Sequence, residues 1–74
     1  MIHSKEYYIE IESLMKSSLN ELEYSLSSAE LSDVKDYIEN AEYGLAYDLL
    51  THILNEKKIE FPKNLLLAAK RMGI

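Results

Sequence analysis

The chain has 74 residues, no cysteine, and thirteen acids against eight lysines and arginines, for a formal net charge of −5. That length gives room for one domain and one core, and the missing thiols exclude disulfides and thiolate metal sites. The charge is uneven, with twelve acids and three bases in residues 1–56 but one acid and five bases in residues 57–74. A negative body disfavours nucleic acid, whose binding rests on neutralising phosphates. It favours a basic protein partner, although acidity that only maintains solubility is the plainer alternative.

Residues 1–12, MIHSKEYYIEIE, are charged throughout and lack the apolar region of a signal peptide. The longest uninterrupted apolar run is residues 65–69, far below the ~18 residues that span a bilayer. Absence of cysteine accords with a reducing compartment. The expectation is a cytoplasmic, soluble protein without membrane contact.

Taken in chain order, Tyr8, Ile11, Met15, Leu19, Leu22 and Leu26 follow steps of three and four, widened by Leu14. This is one helical stripe, placing a first helix over residues 4–24. Ser17, Ser18 and Asn20 weaken its middle, where a bend or break is expected. Ser27 and Glu30 then match a capping box, in which each side chain satisfies a free amide of the other. A second helix is predicted over residues 29–39, with Leu31, Val34, Ile38 and Ala41 facing inward. Asn40 suits the left-handed conformation that ends a helix.

A third helix is predicted almost at once, over residues 42–56. Its inner face is Leu45, Ala46, Leu49, Leu50, Ile53 and Leu54, and the small Ala46 lets another helix come close. Lys57 and Lys58 sit where cations complement the helix dipole. Ile59, Glu60 and Phe61 read as a short extended connection, a conformation that Pro62 imposes on the residue before it. Proline also starts helices well, so a last helix is predicted over Lys63–Met72, with Leu65, Leu66, Ala68, Ala69 and Met72 partly buried and Gly73 as the stop. The short connections give an all-α fold, a small bundle of about four mostly antiparallel helices, with residues 1–74 as a single helical domain. Six tyrosines against one phenylalanine imply rings that sit half in water, because a buried phenol hydroxyl must find a partner.

Catalytic chemistry finds little support. Asp48 and His52 are spaced i, i+4, but two ligands without a third make no metal site, and a surface ion pair is the plainer reading. His3 carries no signal. The serines lack a base held by an orienting group, which nucleophilic catalysis requires. Glu10 with Glu12, and Glu21 with Glu23, are i, i+2 pairs that point apart on a helix. No phosphate loop or other short motif occurs. A helix-turn-helix DNA reader is rejected on sign, because the third helix offers Glu42, Tyr43, Tyr47, Asp48 and Glu56 where basic and amide groups would face the groove. Neither a catalytic residue, a metal nor a cofactor is expected, and the chain reads as a non-enzyme.

The most informative stretch is residues 33–50, DVKDYIENAEYGLAYDLL. Its outer surface is read as carrying Asp33, Asp36, Glu39, Glu42 and Asp48 beside Tyr37, Tyr43 and Tyr47. Tyrosine supplies rigid contact area with a hydroxyl, and charge supplies steering, so this surface suits a basic partner. The same order, followed by FPKNLLLAAKRMGI, resembles the MafI-like immunity proteins, small helical bacterial proteins that each block the toxic domain of a neighbouring polymorphic toxin. The features that match are Ile38–Glu39 in an acidic helix, the turn Glu42–Tyr43–Gly44, Leu45–Ala46 opening the next helix, paired Leu49–Leu50, Phe61–Pro62 before the last helix, and the ending Met72–Gly73–Ile74. The resemblance covers residues 31–74; the first helix matches only in general character, and Ala41 stands where a glycine ending the second helix is expected.

This resemblance implies an immunity protein of a contact-dependent growth inhibition or polymorphic toxin system, acting by binding rather than catalysis. Its partner is then the cognate toxin's C-terminal domain, expected to be basic and a nuclease. Asp33, Asp36, Glu39, Glu42, Tyr43, Tyr47 and Asp48 are the expected toxin contacts, with Tyr43 alternatively a core or capping residue of the turn. The other reading is a helical adaptor or regulatory protein that acts by homo- or hetero-oligomerisation, a homodimer being the simplest form.

Overall fold

The computed structural model describes residues 4–74, so His3 lies outside the described residues. Four helices run α1 (Lys5–Glu21), α2 (Ser28–Glu39), α3 (Tyr43–Lys57) and α4 (Lys63–Met72), with no strand among the described residues. The fold is a small all-α bundle. Side-chain contacts fix the directions of its helices. Asn64 Nδ2 donates to Ser17 Oγ at 2.7 Å, while Arg71 pairs with Glu10. The start of α4 thus meets the end of α1, and the two are antiparallel. Lys57, at the end of α3, reaches Glu30 at the start of α2 at 2.8 Å, so these two are antiparallel as well.

Local chemistry sets each boundary. Ser4 caps α1, its hydroxyl accepting from the Tyr7 N–H at 3.3 Å. The expected capping box opens α2: the Glu30 N–H donates to Ser27 Oγ at 3.1 Å, and the Ser27 N–H donates to Glu30 Oε1 at 2.8 Å. Leu26 and Leu31 flank this box at the positions of a hydrophobic staple, Leu26 buried in the core and Leu31 packed against it.

The last three helices all stop in the same way. After α2, the Glu42 N–H donates to the Tyr37 carbonyl at 2.8 Å and the Ala41 N–H to the Ile38 carbonyl at 3.0 Å. Ile59 and Lys58 make the corresponding bonds to Leu54 and Asn55, as do Ile74 and Gly73 to Ala69 and Lys70. These are Schellman stops, and each needs a residue in the left-handed region. The three are Ala41 (φ 58), Lys58 (φ 57) and Gly73 (φ 79).

Gly73 fills its expected role, but Asn40 does not. Asn40 has φ −91, and its side-chain amide instead donates to the Asp36 carbonyl at 2.8 Å. The left-handed residue is Ala41, one position later. Being exposed, Ala41 also leaves the inner face on which the sequence pattern put it.

The core is one cluster, contributed by all four helices: Ile11, Met15, Leu19, Leu22 and Leu26, then Val34 and Ile38, then Ala46, Leu50, Ile53 and Leu54, then Leu65 and Ala68. Besides Ala41, three further residues expected on inner faces are exposed. Tyr8 is 44% exposed, Leu45 49% and Leu66 52%. Leu45 and Leu66 sit at the margins of their helical stripes and Tyr8 at the open end of its helix, positions where periodicity alone cannot distinguish burial from exposure. Tyr24, expected in the first helix, lies in the turn beyond it and is almost wholly exposed.

The expected break in α1 is absent. Ser18 is fully buried, and its hydroxyl donates to the Leu14 carbonyl at 2.8 Å, so a small polar residue sits in the core with its hydrogen bond made inside its own helix. Ser17 is held by Asn64. Ser17, which weakens α1 by propensity, thus bonds a neighbouring helix, and α1 packs more extensively with α4 than with any other helix. No helix among the described residues is long and apolar enough to cross a membrane.

Candidate functional site

The seven residues singled out on the second and third helices do not form one surface. Asp33, Asp36, Tyr37 and Asn40 recur at i, i+3, i+4 and i+7 and therefore share one side of α2. With Glu42, which precedes α3, and Leu49 of α3 they line a shallow groove along the outside of the α2–α3 hairpin. Asp33, Asp36 and Glu42 are exposed, while Tyr37 and Leu49 are half-buried and packed against the core. The groove thus has an apolar and aromatic floor and an acidic rim. Asp48 lies two residues from Ala46 and from Leu50, both fully buried, so it stands on the opposite, outward side of α3, one residue from Leu49.

Glu39 and Tyr43 face elsewhere. Glu39 lies on the flank of α2 that approaches α1, where its charge, together with that of Glu12, holds the Lys16 ammonium above the usual lysine range. The hydrogen bond from Lys16 to Glu12 is the largest cause, and that pair is 3.0 Å apart. Tyr43 is half-buried. Its ring stacks on that of Tyr8, centroids 6.4 Å apart, and Tyr8 meets Tyr7 edge to face at 5.2 Å. Burial, and then the nearby Glu12 charge, push the Tyr43 hydroxyl above the usual tyrosine range. This side chain joins α3 to α1. Tyr47 is half-buried as well, and its carbonyl accepts from the Thr51 hydroxyl at 2.9 Å. Four of the six tyrosines are half in water, as the composition implies: Tyr7, Tyr37, Tyr43 and Tyr47.

Ion pairs among the described residues engage four of the thirteen acids, and Glu6, Glu21, Glu23, Glu39 and Glu60 lack one just as the groove acids do. Glu10, Glu12 and Glu30 each hold a lysine or arginine, and Glu56 faces His52 at 3.7 Å. No ion pair among the described residues reaches Asp33, Asp36, Glu42 or Asp48. These are exposed charges without an ion-pair partner among the described residues. His52 is turned to Glu56 rather than to Asp48, and no three His, Asp or Glu among the described residues converge as a metal set would.

Tyr37, Asn40 and Leu49 line the groove but were not among the contacts expected from sequence. Their signal was present in the spacing of Asp33, Asp36, Tyr37 and Asn40. The contribution of Leu49 depends on how α3 is rotated against α2, which periodicity does not specify.

Fold and site together define a small all-α bundle with an unneutralised acidic face on one hairpin. Comparison with protein-family models, with curated proteins and with solved structures finds no match to this chain. The resemblance to the MafI-like immunity proteins therefore rests on its residues alone.

Proposed function

We propose that this chain is a cytoplasmic immunity protein, which neutralises a cognate bacterial toxin domain by binding it and performs no catalysis. The observation that carries this reading is the groove of Asp33, Asp36 and Glu42 over Tyr37 and Leu49, whose acids have no ion-pair partner among the described residues. A basic surface, such as the nucleic-acid cleft of a nuclease, is its electrostatic complement. Unpaired surface charge accelerates encounter, and the charge pairs desolvated on contact slow release. The motif from Glu42 to Ala46 and the ending Met72–Gly73–Ile74 point to the same class.

Titration calorimetry against the C-terminal domain encoded immediately upstream tests this. Tight binding that weakens steeply between low and high salt is expected; absence of binding at either salt overturns the reading. The alternative, a helical adaptor that works by oligomerisation, draws on a different feature: large apolar side chains left exposed on α3 and α4.

A further inference from the structure

α4 carries a second stripe besides the one it buries. Lys63, Leu66, Leu67 and Lys70 recur at i, i+3, i+4 and i+7 and share its outward side. Leu66 is 52% and Leu67 39% exposed, and both lysines are exposed. Neither lysine has an ion-pair partner among the described residues, whereas Lys57 and Arg71 are both engaged. The stripe is a pair of leucines between two free cations.

α3 presents the opposite arrangement. Leu45, 49% exposed, and the half-buried Leu49 sit between Glu42 and Asp48, which are exposed and unpaired. This is a pair of leucines beside two free anions. Leu45, Leu66 and Leu67 are the large aliphatic residues left exposed on α3 and α4. The sequence reserves its excess of cations for residues 57–74 and its excess of anions for residues 1–56. A surface complementary to the outer face of α4 is therefore present on every other copy of the same chain.

We propose that α4 docks through Lys63, Leu66, Leu67 and Lys70 onto the Glu42–Leu45–Asp48–Leu49 face of a second copy. This face shares Glu42 and Leu49 with the groove described above, so a second copy and a toxin domain compete for it, and self-association is tested on this chain alone. Leucine covers leucine, and each lysine meets a carboxylate that has no ion-pair partner among the described residues. Where both faces of one copy meet both faces of a single second copy, the contact is made twice and closes as a two-fold pair. So few residues on each side bury much less than the ~1,200 Å² of a standard interface, so the dimer is weak and forms at high protein concentration.

Sedimentation equilibrium on the full chain, up to several hundred micromolar, tests this with two charge-reversed variants, K63E/K70E and E42K/D48K. The wild type is expected to self-associate, at least tenfold more weakly in high salt. Each variant alone is expected to be monomeric with unchanged helical circular dichroism, since like charges then face each other. An equimolar mixture of the two is expected to associate again, because reversed α4 meets reversed α3 and native α4 meets native α3. A monomeric wild type overturns the proposal, as do variants that associate like wild type or a mixture of folded variants that stays monomeric. Should a reversal lose helix, the neutral variants K63Q/K70Q and E42Q/D48N serve instead: each is expected to weaken association, and unchanged association overturns the proposal.

Discussion

The α1–α4 pair and the α2–α3 hairpin treat their polar side chains in opposite ways. In the first pair they face inward or across. Ser18 is buried and bonded within its helix, Asn64 holds Ser17, and Arg71 holds Glu10. In the hairpin, polar groups tie down the ends, where Glu30 serves both the capping box and Lys57, while Asp33, Asp36, Glu42 and Asp48 remain unpaired on the outside. The polar groups named in the first pair hold the bundle together, whereas the groove acids of the hairpin, like Lys63 and Lys70 on the outward side of α4, make no ion pair among the described residues. Local strain lies in the hairpin too, because Ala41 adopts a left-handed conformation that a Cβ disfavours.

The largest test of this contrast is in the core both halves share. Leu65→Ala removes a fully buried side chain that fixes α4 to the cluster and should cost ~2–5 kcal/mol. Leu50→Ala, equally buried on α3, should cost a similar amount by denaturant unfolding. A much smaller loss for Leu65 would show that the last helix docks only loosely and that α1–α4 is not the tighter pair.

The capping box comes next. Ser27→Ala should cost about 1 kcal/mol. Its partner supplies a pH signature. The hydrogen bond from Lys57, and then that from the Ser27 N–H, hold the Glu30 carboxyl below the usual carboxylate range. A lowered folded pKa means the stabilisation is complete above the ordinary value of about 4.3 and disappears as pH falls through the lowered one. The stability gap between wild type and Glu30→Gln should therefore narrow on acidification through that window; a constant gap would place the contribution of Glu30 in packing rather than in charge.

Smaller still, and opposite in sign, is Ala41→Gly. It relieves the left-handed strain at an exposed position and should raise stability by roughly 0.5–1 kcal/mol. A loss would show that the Ala41 methyl contributes packing that outweighs the strain. Ser18→Ala should fall within ~0.5 kcal/mol of neutral, since the hydroxyl bonds only a carbonyl of its own helix and alanine is the better helix former. A large loss there would mean that the serine reaches across to α4.

The number of helices, their order and several of their ends were legible because they depend on local chemistry: the Ser27–Glu30 box, the Pro62 start and the Gly73 stop lie in the chain itself, whereas α1 ends at Glu21, three residues before the expected boundary. Ala41 shows where that ends. The rule that a helix closes in the left-handed region held, but the sequence suggested Asn40 for the role. The register was decided by the pairing of the Glu42 amide with the Tyr37 carbonyl. Leu45 and Leu66 were misplaced for a related reason, since an amphipathic stripe has edges and only the neighbouring helix determines where they fall. The acidic residues of the candidate site were evident as a composition. That Glu39 and Tyr43 belong to the α1 side, and Asp33, Asp36 and Glu42 to the groove, depends on the rotation of α2 and α3 about their axes, which is a tertiary property.

That separation supplies the most direct test of the central claim. Binding of the upstream toxin domain should be measured by calorimetry for the wild type, for D33K/D36K/E42K, and for Glu39→Lys. The account predicts that the triple reversal weakens binding at least a hundredfold with helical content intact, and that Glu39→Lys stays within about threefold of wild type, as expected for a charge outside the interface. Full binding by the triple variant, with loss confined to Glu39→Lys, would contradict it and move the interface to the side of the hairpin that faces α1.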